Sequence, residues 1–413
     1  MVKPQRPRRT WHTVASVHIL LLTQIVPFPP DSGPKIKTYN VLRYLAQRHA
    51  VHLISFVRPG PEAEHARSLR AICASVTPVP LKRSRVRDIF FLARSGVSGR
   101  PFLIERDDLA NMRSAVRQVL RQHTFDAVHA DQLTMGQFAV DLPLSVRVLD
   151  EHNAVWTIVR RAALHEPWWR RPVAELEWHK LRAYEGALCA RFDAVTVVSD
   201  TDRIDLEQAA EQPLTTLEIP IAIDPVELPF EPRGPAARGI LSLATMFYPP
   251  NVEGVHWFAT EVLPLVRADL PTIIFRIVGS RPPAQIQQLG TATSAIEVTG
   301  YVADVTGILR QSGVLVVPLH SGSGMRVKIL EAFARGIPVV STSIGVEGIE
   351  AVPGEHLLVA DTPAEFAAAV TRILCEPKMA ARLAYAARTL VERRYDWHTA
   401  LSPLDGLYPP AST

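Results

Sequence analysis

Short apolar runs alternate with amphipathic helical stretches along this chain, and that alternation constrains its fold more than any other feature. In the first half, the runs with the character of buried strands are Val17 to Val26, Val51 to Val57, Ala127 to His129, Val146 to Leu149 and Ala194 to Val198. Helical patterns separate them at Ile36 to Arg48, Asp108 to Gln122, Val173 to Cys189 and Asp202 to Ala210. Strands that alternate with helices in this way predict a parallel β-sheet covered by helices.

The alternation restarts after a proline-rich stretch between Ile223 and Gly239, which we interpret as an interdomain linker. The second set of runs is Ile240 to Ala244, Thr272 to Val278, Ile296 to Val298, Val314 to Val317, Val339 to Ser341 and Leu357 to Val359. We therefore predict an α/β protein with two Rossmann-like domains facing each other across a ligand-binding cleft. The expected boundaries are 1–228 for the first domain, 229–395 for the second, and 396–413 for a tail that packs back on the first.

The composition is that of a soluble protein, since 47% of the 413 residues are hydrophobic and 21% are charged. The cysteines Cys73, Cys189 and Cys375 are far apart and odd in number, which favours a reducing, cytoplasmic compartment and argues against a disulfide framework or a zinc site. No apolar stretch reaches the ~18 residues of a membrane span. The net charge of +4 is modest, and we expect no nucleic-acid partner.

A glycine loop after the apolar run Val314 to Pro318 predicts an anion-binding site. This loop turns a strand into a helix, and the free N–H groups at a helix start attract phosphate. Arg326 and Lys328 lie in the first turns of that helix, where its dipole disfavours cations. A bound anion is the simplest explanation of their position. The small residues of the loop are Gly322, Ser323 and Gly324.

Glu331 sharpens this prediction, because it lies about two turns beyond the phosphate site on the same helix face as Lys328 and Arg335. A carboxylate at this position can accept hydrogen bonds from both hydroxyls of a ribose. An exposed face joined by salt bridges is the alternative, although such pairs contribute only about 0.2–0.5 kcal/mol each. The face expected to pack on the sheet carries Val327, Leu330 and Ala334.

Other phosphate-binding motifs fit the chain poorly. It contains no GxxxxGK[ST], which argues against a P-loop nucleotidase, and the glycines at 322 and 324 lack the third member of GxGxxG. A dehydrogenase would carry its glycines after the first strand, but the segment from Pro27 to Gly33 contains only one.

Two segments that combine basic residues with apolar or aromatic ones predict contact with an anionic membrane surface. The first combines basic and apolar residues: Lys82, Arg83, Arg85, Arg87, Phe90, Phe91, Leu92, Arg94 and Arg100. The second, Pro167-Trp-Trp-Arg-Arg-Pro172, pairs tryptophans with arginines, which suits a headgroup region. The alternatives are solvated arginines on a helix face for the first segment and core tryptophans for the second.

Motifs along nearly the whole chain resemble those of a known family. In the second half they are Tyr248-Pro-Pro-Asn251, Ile277-Val-Gly279, Val298-Thr-Gly-Tyr-Val-Ala-Asp304, the glycine loop with Glu331, Gly345-Val-Glu-Gly348 and Tyr395-Asp-Trp397. In the first half they are Pro27-Phe-Pro-Pro-Asp-Ser-Gly33, Lys35-Ile-Lys37 and Asp150-Glu-His-Asn153. Together they resemble the family-4 glycosyltransferases, retaining enzymes with the GT-B fold, and especially the bacterial members that act in polysaccharide assembly.

The resemblance implies that a nucleotide-diphospho-sugar binds to the second domain. The residue matching Glu331 contacts the ribose, those matching Arg326 and Lys328 face the diphosphate, and Tyr301 lies where the nucleobase is held. Cleavage of the sugar–phosphate bond builds negative charge on the diphosphate, which these cations and the helix N–H groups would stabilise. No metal and no separate cofactor is then expected. A tyrosine that packs between loops and a solvent-facing Arg326 are the structural alternatives.

In the first domain, the resemblance places His152 at the reacting centre, near the sugar or the incoming hydroxyl. A neutral imidazole can donate or accept a hydrogen bond there. A purely structural histidine is the alternative. Asp150 and Asn153 either orient His152 or cap the helix that follows. The triplet Asp200-Thr-Asp202 resembles a metal-binding DxD motif, but we interpret it as a helix cap.

The loop after the first strand is expected to meet the diphosphate or the acceptor through Gly33 and Lys35, with Lys37 as an alternative to Lys35. The chain also departs from the family pattern. Many relatives carry a glutamate at the position of Ser323, so the identity of the sugar stays open. The loop Ala244-Thr-Met-Phe-Tyr248 lacks the cation that many relatives place there.

These observations predict a retaining, metal-independent glycosyltransferase that moves a sugar from a nucleotide-diphosphate donor to a glycan or lipid-linked hydroxyl. We expect it in the cytoplasm, at the inner face of the membrane where its basic segments contact lipid. A nucleotide-sugar epimerase of the same fold and a non-catalytic nucleotide-sugar-binding subunit are the alternatives.

Overall fold

The structure is a computed structural model that describes residues 17–408, except residues 165, 235, 236, 247, 303 and 323. Ser323, which the sequence predicts in the donor site, therefore lies outside the described residues. The same holds for one position in each of the motifs Ala244 to Tyr248 and Val298 to Asp304.

In the described part of the chain, the first domain is built on a parallel sheet with the order β3-β2-β1-β4-β5-β6-β7. Its strands are β1 (His18–Thr23), β2 (Ala50–Val57), β3 (Ser75–Pro80), β4 (Ala127–Asp131), β5 (Val146–Asp150), β6 (Ala194–Val197) and β7 (Thr216–Glu218). Its helices are α1 (Gly33–Ala46), α2 (Glu62–Ser68), α3 (Arg85–Ser98), α4 (Phe102–Asp107), α5 (Ala110–Gln122), α6 (Leu133–Ala139), α7 (Val155–Leu164), α8 (Arg171–Cys189) and α9 (Asp200–Ala210).

The second domain, within the same described residues, has a parallel sheet with the order β10-β9-β8-β11-β12-β13. The strands are β8 (Gly239–Leu243), β9 (Phe275–Val278), β10 (Ile296–Gly300), β11 (Ser312–Val317), β12 (Val339–Ser341) and β13 (Leu358–Val359). The helices of this domain are α10 (Pro249–Trp257), α11 (Leu263–Asp269), α12 (Ala284–Ala292), α13 (Thr306–Gln311), α14 (Val327–Ala334), α15 (Pro363–Cys375) and α16 (Pro377–Leu390).

Both sheets follow the Rossmann strand order, so the prediction of two Rossmann-like domains is confirmed. Every predicted strand is present, with ends shifted by a few residues. The sequence reading missed the two edge strands of the first sheet. Strand β3 contains prolines at positions 78 and 80, which only an edge strand tolerates, and β7 is only 3 residues long.

Each sheet buries both of its faces under helices. Along β1 the side chains alternate, so that Leu20 and Leu22 join one apolar cluster while Ile19 and Leu21 join another on the opposite face. Such two-sided burial is why the strands read as continuous apolar runs. None of the helices in the described part of the chain combines the length and apolar character that a membrane crossing requires. All three cysteines are free, as predicted.

The C-terminal segment returns to the first domain. Its helix α17 (Trp397–Leu401) packs against α1, where the rings of Trp397 and Tyr44 meet edge to face with centroids 6.4 Å apart. The hydroxyl of Tyr408 lies 2.7 Å from Nδ1 of His129 on β4. The chain thus crosses between the domains twice, and the two crossings pair where Ile223 bridges to Asp396.

Candidate functional site

The predicted glycine loop joins the end of β11 to the start of α14. Gly322 and Gly324 have φ angles of +105° and +82°, a left-handed conformation that favours glycine. A Cβ atom on Gly324 would lie 2.3 Å from Oδ1 of Asn153, and one on Gly322 would lie 2.9 Å from the hydroxyl of Tyr248. The two glycines therefore allow the first domain and the loop before α10 to approach this segment closely.

The two predicted cations lie at the start of α14, with Arg326 directly before its first residue and Lys328 in its first turn. Nζ of Lys328 donates a hydrogen bond of 3.3 Å to Oδ1 of Asn251, and no salt bridge joins it to a carboxylate among the described residues. Burial and, to a smaller extent, the positive charge of Arg326 together lower the pKa of Lys328 to about 7. This is a strongly perturbed cation without a matching negative charge.

Arg326 donates to the backbone oxygen of Gly324 and so fastens the loop to the helix start. Burial lowers the pKa of its guanidinium, while the negative charge of Glu347 raises it. The alternative of a solvent-facing Arg326 is wrong, because the residue is partly buried and its Nε and Nη2 atoms are shielded from solvent.

Glu331 lies one turn farther along α14 and is partly buried. Burial raises the pKa of its carboxyl, and the nearby charge of Arg335 counteracts this in part. No ion pair joins Glu331 to Lys328 or Arg335 within the described ranges, so the alternative of an exposed, salt-bridged face is wrong. The helix is also more deeply packed than predicted, since Ile329 and Phe333 are fully buried.

His152 lies just beyond the end of β5 and is buried. Its Nε2 atom is 3.0 Å from Oδ1 of Asp131, at the end of the neighbouring strand β4. Asp150 is not its orienting group, because the closest approach of that carboxylate to Nε2 is 4.0 Å. Parallel pairing of β4 with β5 sets Asp131 directly beside Asp150, which brings the two strand ends together.

Asp150 is occupied by other groups. Its carboxylate accepts hydrogen bonds from Nζ of Lys37 and from the hydroxyl of Thr196, and His129 lies 3.3 Å away. Burial alone would raise the pKa of Asp150, but the charge of Lys37 and the hydrogen bond with His129 hold it well below the ordinary value. Lys37 is therefore a buried structural ion pair, and the interpretation of Lys37 as a loop cation is wrong.

Neither Asp150 nor Asn153 caps helix α7. The backbone N–H groups of Val155 and Trp156 donate instead to the two carboxylate oxygens of Glu185 on α8, at 2.7 and 2.8 Å. Asn153 lies against Gly324 of the second domain. The capping role was assigned to the wrong residues because the true cap comes from a helix that follows later in the chain.

The first-domain loop reaches the same region. Helix α1 begins at Gly33, where an added Cβ would touch the Val327 side chain at 3.4 Å. Lys35 is in the first turns of α1 and forms a 2.9 Å ion pair with Asp31. The structure thus brings Gly33 to the start of α14, as expected, while the charge of Lys35 is shared with a neighbouring carboxylate.

Tyr301 follows β10, and its side chain is 75% exposed. The alternative in which this ring packs between loops is therefore wrong. An exposed ring at the carboxyl end of a strand remains available to stack on a planar ligand.

Arg161 on α7 is an interdomain contact that the sequence reading missed. Its guanidinium donates to the carbonyl oxygen of Gly322 at 3.0 Å and pairs with Glu347 at 3.3 Å. The cavity beside it is lined from both domains, by Thr157, Ser199, Thr201, Asp202, Asp205, Met325 and Gly348 among others. The Gly345-Val-Glu-Gly348 motif contains Glu347, but the arginine that pairs with it is on a helix far away in the sequence.

Asp131, Asp150 and His152 offer ligand atoms within 4.8 Å of one another, a spacing that a metal ion could use. Lys37 and Thr38 already donate to these two carboxylates, which lowers their capacity for a metal. Within the DxD-like triplet, Asp200 begins α9 and Asp202 is in its first turn. The hydroxyl of Ser199 caps the helix, so the interpretation of the triplet itself as the cap is wrong by one residue. That a metal is unnecessary stays a prediction.

Comparison with known proteins supports the two-domain reading. Residues 237–376 match a family model described as "Glycosyl transferases group 1". A curated protein of Klebsiella pneumoniae, described as "Uncharacterized 44.6 kDa protein in cps region", is 27% identical over 164 residues. That match covers 38% of this chain and 42% of the relative, so the chain spans less than half of the curated protein it matches.

Among solved structures, sucrose-phosphate synthase from Thermosynechococcus elongatus has a TM-score of 0.69 and 16% identity, covering 94% of this chain and 98% of its own. HepE from Anabaena, solved in complex with UDP and glucose, has a TM-score of 0.66 and 14% identity, with the same coverage of both chains. At such identities the likeness concerns the fold alone. The chain has the GT-B fold, and its second domain carries the group 1 glycosyltransferase signature.

Proposed function

We propose that this chain is a retaining, metal-independent glycosyltransferase that moves a sugar from a nucleotide-diphosphate donor to a hydroxyl of a glycan or lipid-linked acceptor. The observation that carries the proposal is the pair of cations at the start of α14. Lys328 has its pKa lowered to about 7 by burial and by Arg326, and only an amide oxygen accepts its hydrogen bond in the described structure. A diphosphate at this position would restore the charged form of Lys328 and use the N–H groups of the helix start.

The same charges suit the chemistry. As the bond between the sugar C1 and the diphosphate oxygen breaks, negative charge grows on the leaving group beside Lys328 and Arg326. Fixed cations therefore stabilise the transition state more than the bound donor. In the proposed front-face reaction, the acceptor oxygen bonds to C1 from the side that the diphosphate leaves. The acceptor proton passes to the departing phosphate oxygen, so no separate base is needed.

The remaining groups are arranged to hold a nucleotide sugar. In this proposal, Glu331, one turn beyond Lys328, accepts hydrogen bonds from the ribose hydroxyls. The exposed ring of Tyr301 stacks on the base. His152 meets the sugar or the acceptor hydroxyl from the first domain. HepE, which has the same fold, was solved with UDP and with UDP-glucose, which makes UDP the first donor nucleotide to test.

A thermal-shift screen against nucleoside diphosphates and their sugars tests donor binding directly. We expect a rise in Tm with at least one of UDP, GDP, ADP and TDP, because a ligand that binds only the folded state stabilises it. Lys328→Met should reduce the shift, and Lys378→Met, which removes an exposed lysine on α16, should leave it unchanged. The absence of any shift with every nucleotide would contradict the proposal.

Turnover separates the proposed enzyme from its alternatives. Radiolabelled sugar should pass from the binding donor to an acceptor extract with retention at C1. Conversion of the donor sugar without acceptor would indicate an epimerase. Donor binding without turnover in any extract would indicate a nucleotide-sugar-binding subunit.

We also propose that the first domain lies against an anionic membrane, where lipid-linked acceptors are found. Helix α3 exposes Phe90 and Val97 to 62% and 92%, and the turn before α8 exposes Trp168 to 86%. Hydrogen bonds from Ser95 to Glu177 and from Lys180 to Ser95 join the two helices, so these exposed apolar groups belong to neighbouring elements. The alternative of core tryptophans is wrong.

The charge of this face is smaller than the sequence indicates. Arginines 83, 94 and 100 form ion pairs with Asp107, Glu105 and Asp108. Apolar insertion would therefore contribute more than attraction of charge, since each buried aromatic side chain stabilises binding by about 1.5–3 kcal/mol.

Vesicle flotation tests this contact. Full-length protein should float with phosphatidylglycerol-containing vesicles at low salt, and the double variant Phe90→Ser/Trp168→Ser should bind at least about tenfold less tightly. Tyr385→Ser, which removes a 57% exposed aromatic ring from α16, is the matched control and should float like the wild type. Equal flotation of all three proteins, or of none, would contradict the proposal.

A further inference from the structure

His152 is held from one side by a residue that the sequence does not connect with it. Oδ1 of Asp131 lies 3.0 Å from Nε2 of the imidazole, and both side chains are buried. The hydroxyl of Thr38 lies 2.8 Å from the same carboxylate oxygen. A carboxylate can only accept hydrogen bonds, so the ring nitrogen that faces it carries the hydrogen.

The opposite ring nitrogen is left for another group. Nδ1 of His152 is buried and has no hydrogen-bond partner among the described residues. With the hydrogen on Nε2, a neutral imidazole presents a lone pair at Nδ1 and can only accept there. A buried polar atom without a hydrogen-bond partner lowers the stability of the folded state, unless a ligand supplies the missing hydrogen bond.

We propose that Asp131 is the positioning residue of His152. It holds the imidazole with the hydrogen on Nε2 and leaves Nδ1 to accept a hydrogen bond from a hydroxyl of the substrate. The second half of this statement rests on the proposed function. A phosphate oxygen, which also accepts, could not pair with Nδ1, so the group that meets His152 is a sugar or acceptor hydroxyl rather than the diphosphate.

Asp150 cannot perform this task, although it lies beside Asp131 at the strand ends. Its Oδ1 already accepts hydrogen bonds from the ammonium of Lys37 and the hydroxyl of Thr196, and its Oδ2 lies 3.3 Å from Nε2 of His129. Asp131 has different partners, because the donors that face its Oδ1 are the hydroxyl of Thr38 and the imidazole of His152. The two neighbouring carboxylates thus have different roles, one in a structural ion pair and one in orienting the histidine.

Histidine tautomers can be read directly by ¹⁵N NMR of the ¹⁵N-histidine-labelled full chain, with His152→Gln used to assign the signal. The wild type should show a pyrrole-type Nε2 and a pyridine-type Nδ1. Asp131→Ala should lose this single tautomer and give averaged signals. Thr38→Val, which keeps the carboxylate but removes its other donor, should retain the wild-type signals. If Asp131→Ala does not fold, Asp131→Leu, which fills more of the space and has no hydrogen-bond acceptor, takes its place.

Kinetics supply the second readout. For a donor identified by thermal shift, Asp131→Ala should lower kcat about 100-fold, the scale of a misplaced reacting group, and change the donor Kd less than threefold. A wild-type His152 with its hydrogen on Nδ1, or unchanged signals in both Asp131 variants, would overturn the inference. Failure to turn over any donor would contradict the proposed function instead, and the tautomer would still decide the role of Asp131.

Discussion

Each domain carries a lysine in the first turns of a helix that borders the cleft, and the two lysines have opposite surroundings. Lys37 on α1 is fully buried and forms an ion pair with Asp150. Lys328 on α14 is partly buried and donates only to the amide oxygen of Asn251 within the described residues. The strand order reverses beside both helices, which is where ligands bind in such sheets.

The difference separates a lysine that holds the fold from one that awaits a ligand. In the first domain, the buried charge of Lys37 is matched internally by Asp150. In the second domain, Lys328 has no carboxylate partner among the described residues, and the charge of Arg326 lowers its affinity for protons. A bound diphosphate would supply the negative charge that Lys328 lacks, whereas Lys37 is paired before any substrate binds.

The largest expected effect is on folding. Lys37→Met should lower the free energy of unfolding by about 3–5 kcal/mol, because it leaves the carboxylate of Asp150 buried without its cation. Lys328→Met, the matched change in the other domain, should leave stability unchanged or raise it. Urea unfolding of both variants measures this. Equal destabilisation by the two changes would remove the distinction between the lysines.

Donor binding should show the reverse order. Lys328→Met removes a charged hydrogen-bond donor to the diphosphate and should cost about 1.5–3 kcal/mol, which is roughly a 10- to 100-fold weaker Kd. Titration calorimetry of UDP into variant and wild type measures the change. A Lys328→Met protein that binds every nucleotide diphosphate normally would place the anion site elsewhere.

A smaller effect concerns the pH dependence of stability. The pKa of Lys328 is lowered from 10.5 to about 7 in the folded chain, so between these values the unfolded chain binds more protons. The contribution of Lys328 to the free energy of unfolding therefore rises from pH 7 to pH 10.5. Below pH 7, the burial of its positive charge destabilises the folded chain to the full extent.

Comparison with Lys328→Met cancels the other groups that titrate in that range. The difference in unfolding free energy between wild type and variant should shift in favour of the wild type by at least about 1.4 kcal/mol as the pH rises, the equivalent of one pKa unit. A constant difference from pH 7 to pH 10 would show that Lys328 keeps an ordinary pKa.

The smallest expected effect is at the contact between the domains. Arg161 is 43% exposed, so its ion pair with Glu347 should contribute only about 0.2–1 kcal/mol. Arg161→Ala should raise the donor KM less than about fivefold, because it removes the hydrogen bond to Gly322, and should change the Tm little. Glu347→Gln keeps that hydrogen bond and is the control. A loss of donor binding as large as that of Lys328→Met would make Arg161 a direct ligand of the diphosphate.

The sequence predicted the features that arise from neighbouring residues. Two strand sets, the glycine loop and the placement of Arg326 and Lys328 follow from apolar runs, glycines and helix periodicity within about ten residues. The segment Thr362-Pro-Ala-Glu365 is a further local signal, because its threonine and glutamate spacing is that of a capping box and the Thr362 hydroxyl accepts a hydrogen bond from the backbone N–H of Glu365. Local signals of this kind predict the structure well because they depend little on contacts with distant parts of the chain.

The missed features depend on distant partners. Asp131 was left out because the strand was expected to end at His129, two residues before the carboxylate. Its neighbour across the sheet is set by the register of β4 on β5, which no single run of residues encodes. The pairing of Arg161 with Glu347 joins residues 186 positions apart and depends on how the domains meet.

Proton uptake on nucleotide binding tests the central claim most directly. At pH 8, most of the free protein should hold Lys328 uncharged, because its pKa is about 7, and a bound diphosphate should draw a proton onto it. Calorimetry in buffers of different ionisation enthalpy, with the nucleoside diphosphate that stabilises the chain most, should show uptake of a large part of one proton in the wild type and none in Lys328→Met. Binding without proton uptake in the wild type would contradict the account.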